Sequence, residues 1–219
     1  MVNLGVLVSG SGSNLQALID NIEAGRVDAK IQIVISNLPD VLGLERAKRH
    51  GIPTLVVAHQ GLKREEYDQK LVETLRTYHV ELVVLAGFMR IITSVLLRAF
   101  PMKVMNIHPA LLPAFPGTHV WQAEVDYGVK FAGCTVHFVD EGTDTGPIII
   151  QAVVPVYDDD TADTLNARIL KQEHKIYSQA IQLYAEGRLE IRGRRVRVSG
   201  YPPAPETSMA NPPVKIFDR

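Results

Sequence analysis

Asn106 and His108 sit two residues apart at the end of an apolar run that Pro109 stops. Residues 103–108 therefore read as a strand closed at its carboxyl end by the proline. Alternate side chains of a strand share a face, so Asn106 and His108 point the same way. An amide donor beside an imidazole, with a carboxylate in reach, suits a carbonyl that becomes a tetrahedral oxyanion while protons move. Asp144, in the Gly/Thr-rich loop that follows Asp140, is such a carboxylate. For an isolated Asn-x-His the alternative is a buried pair satisfied by backbone groups. A second polar group lies at Ser9-Gly10-Ser11-Gly12-Ser13-Asn14, between a predicted strand and a predicted helix, where free N–H groups and the helix dipole favour an anion. It is not a dinucleotide fingerprint: Leu15 stands where the third glycine belongs, and the second strand ends in Ser36-Asn37 instead of an acid. The lysine of a P-loop is missing too. A structural tight turn and a phosphate site both stay open.

The elements that must position these groups follow from periodicity and punctuation. Strands are predicted at 4–9, 30–36, 54–57, 82–86 and 103–108, separated by helices at 15–25, 41–50, 64–79 and 93–99. Gly25 and Gly51 are placed to end the first two helices. The third helix carries apolar contacts at Tyr67, Leu71, Leu75 and Tyr78. Such alternation implies an α/β fold, a mostly parallel sheet with helices on both faces. Beyond residue 108 the pattern changes. A helix is expected at 118–127, and strands at 133–139 and 147–156 have no long helix between them, which makes an antiparallel pair. Asp160 or Thr161 can cap a long last helix reaching Glu186. An Arg-rich, strand-like piece at 190–199 and a Pro-rich, poorly ordered end complete the chain. The expected organisation is one domain over 1–187, with 188–219 either part of it or poorly ordered.

Composition narrows the function classes. Lys plus Arg total 23 and Asp plus Glu 24, so nucleic-acid binding through phosphate neutralisation is not expected. The single cysteine, Cys134, fits a reducing compartment. No basic start leads into an apolar segment, and no apolar run approaches the roughly 18 residues that span a bilayer. A soluble cytoplasmic enzyme or binding protein is the expectation, with no membrane partner. His119, His137, His174 and Cys134 are the possible soft metal ligands; Cys134 and His137 face opposite sides of a strand, and no metal is expected. Arg188, Arg192, Arg194, Arg195 and Arg197, with Glu186 and Glu190 nearby, read as a solvated edge strand.

Two further features invite attention. Leu165, Ile169, Ile176 and Ala180 form an apolar stripe on the last helix, and Glu173 falls on it; that carboxylate is paired, at the stripe's edge, or binding something. Gly87 leads the chain out of a buried strand into Met89-Arg90-Ile91-Ile92, at the sheet edge where open α/β sheets bind ligands. Taken without more, residues 89–92 read as core or a helix start, and Arg64 as a surface arginine.

The run Asn106-Ile107-His108-Pro109-Ala110-Leu111-Leu112-Pro113, followed by the Asp144 loop, resembles the folate-dependent formyltransferases. The resemblance covers about residues 4–184, with the motifs in the family's order. It implies a Rossmann-like fold and transfer of a formyl group from 10-formyltetrahydrofolate to the amine of glycinamide ribonucleotide, in purine biosynthesis. By the same resemblance Asn106, His108 and Asp144 are catalytic, Gly12, Ser13 and Asn14 take the substrate phosphate, and Glu173 takes the ribose hydroxyls. Arg64, Met89, Arg90, Ile91 and Ile92 grip the folate, with Asn106 and the loop Asp140, Glu141, Gly142, Thr143 and Asp144 closing that side. The folate is a co-substrate, and no bound cofactor is implied. Thr118, Val120-Trp121 and Thr145 depart from the family's usual wording. Two branches of the family, a formyltetrahydrofolate hydrolase and a methionyl-tRNA formyltransferase, carry an extra domain for which 219 residues leave no room. A non-catalytic phosphosugar-binding module is the rival from another class. Oligomeric state stays open.

Overall fold

The computed structural model describes residues 1–200 and Met209. The Pro-rich end, expected to be poorly ordered, otherwise lies outside the described residues. The chain runs β1 (Val2–Val8), α1 (Ser13–Glu23), β2 (Ala29–Ser36), α2 (Leu42–Arg49), β3 (Thr54–Val56), α3 (Arg64–Thr77), β4 (Leu82–Leu85), α4 (Ser94–Ala99) and β5 (Val104–His108). It continues as α5 (Val120–Tyr127), β6 (Phe131–Phe138), β7 (Ile148–Pro155), α6 (Ala162–Ala185), β8 (Leu189–Arg192) and β9 (Arg195–Val198). The strands form one nine-stranded sheet in the order β3-β2-β1-β4-β5-β6-β7-β9-β8.

The first five strands are parallel, as their apolar runs require: both faces must be covered. Leu4, Val6 and Val8 of β1 join a core with Leu15, Leu18 and Ile19 of α1 and Leu165, Ile169 and Ile176 of α6. Leu7 points to the other core, with Ile33 and Ile35 of β2 and Tyr67, Leu71 and Leu75 of α3. From β1 the sheet grows one way through β2 and the other way through β4. This is a topological switch, and the carboxyl ends of β1, β4 and β5 open side by side there. The glycine loop, the 86–93 segment and the Asn106/His108 strand end thus emerge at one edge. Tyr177 of α6 fastens the floor beneath them: its buried hydroxyl lies 3.0 Å from the Leu85 carbonyl oxygen and 2.9 Å from that of Met105.

β6 reverses the sheet, pairing antiparallel with β5 and β7. Thr161 caps α6 by accepting from the Thr164 N–H at 3.3 Å, while Arg168 holds Asp160 at 2.6 Å.

Several expectations need correction. Tyr78 is an exposed residue at the end of α3 and makes no core contact of the kind expected, because the helix stops at Thr77. α5 begins at Val120, two residues late, since Gly117 and His119 take positive φ of 91° and 59° and interrupt helical geometry. The piece read as one strand at 190–199 is a hairpin, β8–β9, turned at Gly193-Arg194 with Gly193 at φ 60°.

Candidate active site

β5 brings Asn106 and His108 to one face, and the antiparallel register sets His137 of β6 opposite Asn106 and Thr135 opposite His108. His108 is 3% exposed. Its Nε2–H donates to the Phe115 carbonyl at 2.8 Å, and its Nδ1 lies 3.4 Å from Asp144 Oδ2. The same carboxyl oxygen accepts from the Gly117 N–H at 2.9 Å, while Oδ1 stands 3.7 Å from His137 Nε2. Asp144 reaches this position from a left-handed backbone, φ 54°. His137 Nδ1 faces the Phe138 carbonyl at 2.9 Å; a carbonyl only accepts, so Nδ1 carries the proton and Nε2 is left as an acceptor. Asn106 Nδ2–H donates to that Nε2 at 3.2 Å. Burial, before any other influence, pushes the His137 pKa down and keeps the ring neutral. Asn106 keeps a second amide proton for another acceptor.

His137 is the residue that sequence reasoning missed, having been weighed only as a metal ligand. The expected opposition of faces holds, since Cys134 packs in the core with Val136 and Phe138. What places His137 beside Asn106 is cross-strand register, to which no local pattern points.

The tight-turn reading of the glycine loop is realised. Gly12 has φ 67°, and a Cβ there would lie 2.6 Å from Gly43 Cα, so glycine is needed for α2 to approach. The Gly43 N–H donates to the Gly10 carbonyl at 3.0 Å, and Arg46 Nε donates to that of Ser11 at 2.9 Å. α1 starts at Ser13, earlier than expected, which leaves its first backbone N–H groups at the loop. Asn14 Nδ2 donates to Glu173 Oε2 at 2.7 Å across 159 positions of sequence. Of the alternatives for Glu173, this pairing is realised: the carboxylate is 5% exposed, its pKa raised by burial and partly held down by the Asn14 amide. Asn14 Oδ1 is buried with no hydrogen-bond partner among the described residues, an acceptor available to a ligand hydroxyl.

The 86–93 segment is tied to the loop. Ser9 N–H donates to the Gly87 carbonyl at 3.0 Å, and Ser9 Oγ accepts from the Met89 N–H at 2.9 Å. Met89 is 71% exposed and Ile91 59%, whereas Ile92 packs against the core on the α3 side, and α4 begins only at Ser94, so residues 89–91 are neither core nor the start of a helix. Arg90 stacks 4.4 Å above the Tyr67 ring, and the Thr93 N–H and hydroxyl donate to buried Asp68 Oδ2 at 2.6 and 2.7 Å. Arg64 is exposed in the first turn of the same α3. In the loop that follows β6, Asp140 Oδ1 accepts from Thr145 Oγ1 at 2.6 Å and from the Gly142 N–H at 3.1 Å, while Glu141, Gly142 and Thr143 are exposed. Among the described residues no group of three or more His, Cys, Asp or Glu side chains could hold a metal ion, and no helix is long and apolar enough to cross a membrane.

The arrangement can therefore hold an anion at the amino end of α1, a polyol between Asn14 and Glu173, and a flat apolar ligand beside Met89 and Ile91. Asn106 and His108 place an amide and an imidazole side by side at the end of β5. Residues 2–181 match the model of the formyl transferase family. Phosphoribosylglycinamide formyltransferase of Escherichia coli (strain K12) is 40% identical over 208 residues, covering 91% of this chain and 98% of that protein. The trifunctional purine biosynthetic protein adenosine-3 of Homo sapiens is 46% identical over 187 residues, 85% of this chain, and the chain spans only 18% of that relative's length. The crystal structure of glycinamide ribonucleotide transformylase 1 from Symbiobacterium toebii superimposes with a TM-score of 0.89 at 51% identity, over 90% of this chain and 94% of the other. On the breadth of that match, the chain belongs to the formyl transferase family.

Proposed function

We propose that the chain transfers the formyl group of 10-formyltetrahydrofolate to the amine of glycinamide ribonucleotide, a step of purine biosynthesis carried out in the cytoplasm. The observation that carries this reading is the convergence of Asn106, His108 and Asp144 at the strand end that neighbours the Asn14–Glu173 pair. A phosphate at the N–H groups of Ser13 and Asn14, with its ribose on Glu173, directs the substrate amine toward β5. The pterin lies along residues 89–92 and the 140–144 loop, with Arg64 and Arg90 on the α3 side. The free amine attacks the formyl carbon, and the carbonyl oxygen becomes an oxyanion. The second amide proton of Asn106 and an N–H of His108 donate to it. His108 exchanges its Phe115 contact for this one, and Asp144 stabilises the imidazolium. The attacking nitrogen gives up a proton and the departing folate nitrogen gains one, with His108 as the relay.

The test compares acceptors. With 10-formyltetrahydrofolate as donor, glycinamide ribonucleotide is expected to be formylated far faster than water or methionyl-tRNA. Preferential release of formate would reassign the chain to hydrolysis, and turnover with none of the three would leave a binding role.

A further inference from the structure

We propose that Arg194, in the turn between β8 and β9, is a positioning residue for Asp144, and that the carboxyl-terminal hairpin braces the loop carrying that carboxylate. The inference rests on the reading of Asp144 as catalytic. The Arg194 guanidinium Nη2 donates to the Thr145 carbonyl at 2.9 Å, one residue beyond Asp144. The pairing of β9 with β7 puts the hairpin there: Arg195, the first residue of β9, is in register with Ile148, the first residue of β7. The turn thus lies alongside the loop where it re-enters the sheet. The hairpin is outside residues 2–181, over which the family model matches.

Asp144 needs such support. A non-glycine residue at φ 54° is held there only when its surroundings over-determine it. Three restraints act on the loop from within or from the active-site side. Thr145 Oγ1 is bound to Asp140, the Gly117 N–H reaches Asp144, and Gly146 is so close to the Phe138 carbonyl that no Cβ fits. Arg194 adds a restraint from the outer side. Neighbouring arginines turn inward on the hairpin, Arg192 to Glu190 and Arg188 to Glu186 and the Ser199 carbonyl, whereas Arg194 reaches out of it. The contact it protects is unforgiving, because Asp144 and His108 are 3.4 Å apart and any outward drift of the loop parts them.

Arg194→Ala should lower kcat by roughly 5- to 20-fold, short of the ~10²-fold that a full 1 Å misplacement of a reacting group costs. The KM for glycinamide ribonucleotide and the melting temperature should stay at wild-type values. A merely structural residue would move the melting temperature instead. Arg194→Lys, which keeps a donor, should recover most of the loss, and Arg195→Ala on the adjacent exposed position should change nothing. Wild-type kcat in Arg194→Ala, or failure of lysine to recover any activity, overturns the brace. Asp144→Asn, measured in parallel, separates the two levels: wild-type turnover there overturns the reading of Asp144 itself, whereas a crippled Asp144→Asn beside an unaffected Arg194→Ala overturns only the role of the hairpin.

Discussion

The parallel and antiparallel halves of the sheet treat polar groups in opposite ways. In β4 every residue is apolar, in β1 the one polar side chain, Asn3, sits near the start, and in β5 Asn106 and His108 fall among the last three residues. Where helices cover both faces of a strand, a polar side chain costs stability unless it finds a partner. In β6 polar residues lie within the strand and fully buried: Thr135 donates to the Ala110 carbonyl at 2.7 Å and accepts from the Leu112 N–H at 3.1 Å, and His137 bridges Phe138 and Asn106. Only one face of β6 belongs to the core, through Cys134, Val136 and Phe138. On the proposed reading, the parallel half thus presents the reacting groups and the antiparallel half holds them in place.

That division has graded consequences. The largest loss is expected where a presented group is removed. His108→Ala should cost about 10²–10⁴ in turnover, the scale of lost acid–base catalysis, and Asn106→Ala about 10²–10³, the scale of one oxyanion donor. Single-turnover rates with both substrates saturating, beside thermal melts, check this. An Asn106→Ala protein that melts early yet reacts at the wild-type rate would move Asn106 to the holding side. Next comes Glu173→Gln, which leaves the Asn14 contact possible but removes the charge that, on the proposed reading, takes the ribose hydroxyls. Affinity for the ribonucleotide should fall about tenfold, the usual worth of a charge-assisted hydrogen bond, with folate affinity unchanged. Equal loss of both ligands in separate titrations would end the two-subsite picture.

The smallest effect on turnover is expected at Glu124 of α5, a buried carboxylate whose Oε2 has no partner among the described residues and whose pKa burial raises to about 7. The folded state binds this proton more tightly than the unfolded one. Stability is therefore greatest below the ordinary carboxylate range and declines as pH rises toward 7. Glu124→Gln should flatten that decline, gaining on the order of 1–2 kcal/mol at pH 8 relative to wild type, with kcat unaffected. Urea titrations at pH 5 and pH 8 read the difference, and an equal pH slope in the two proteins contradicts it.

The same division explains what the sequence makes legible. Asn106-x-His108 stopped by Pro109 is a local signal, period two and a proline, and it lands where expected. Gly12 is legible as a turn for the same reason, although its contact with Gly43 is not. The Asn14–Glu173 pair spans 159 positions, so Glu173 could be recognised as out of place on its stripe but not matched to a partner. His137 needs the β5–β6 register, and Arg194 needs the hairpin to be recognised as one. There the run of arginines masked a two-residue turn whose only mark was Gly193. Residues that present chemistry carry local patterns, while residues that hold it depend on pairings distant in sequence.

The most direct test of the central claim, that Asp144 supports His108 as the proton-handling group of formyl transfer, is the single-turnover rate of Asp144→Asn with glycinamide ribonucleotide and 10-formyltetrahydrofolate. The asparagine keeps the shape and can still accept from the Gly117 N–H, now 2.9 Å away, but it removes the charge beside the imidazole. Turnover is expected to fall, because the imidazolium formed as His108 takes up a proton loses the anion beside it. A folded Asp144→Asn protein with wild-type turnover would contradict the account.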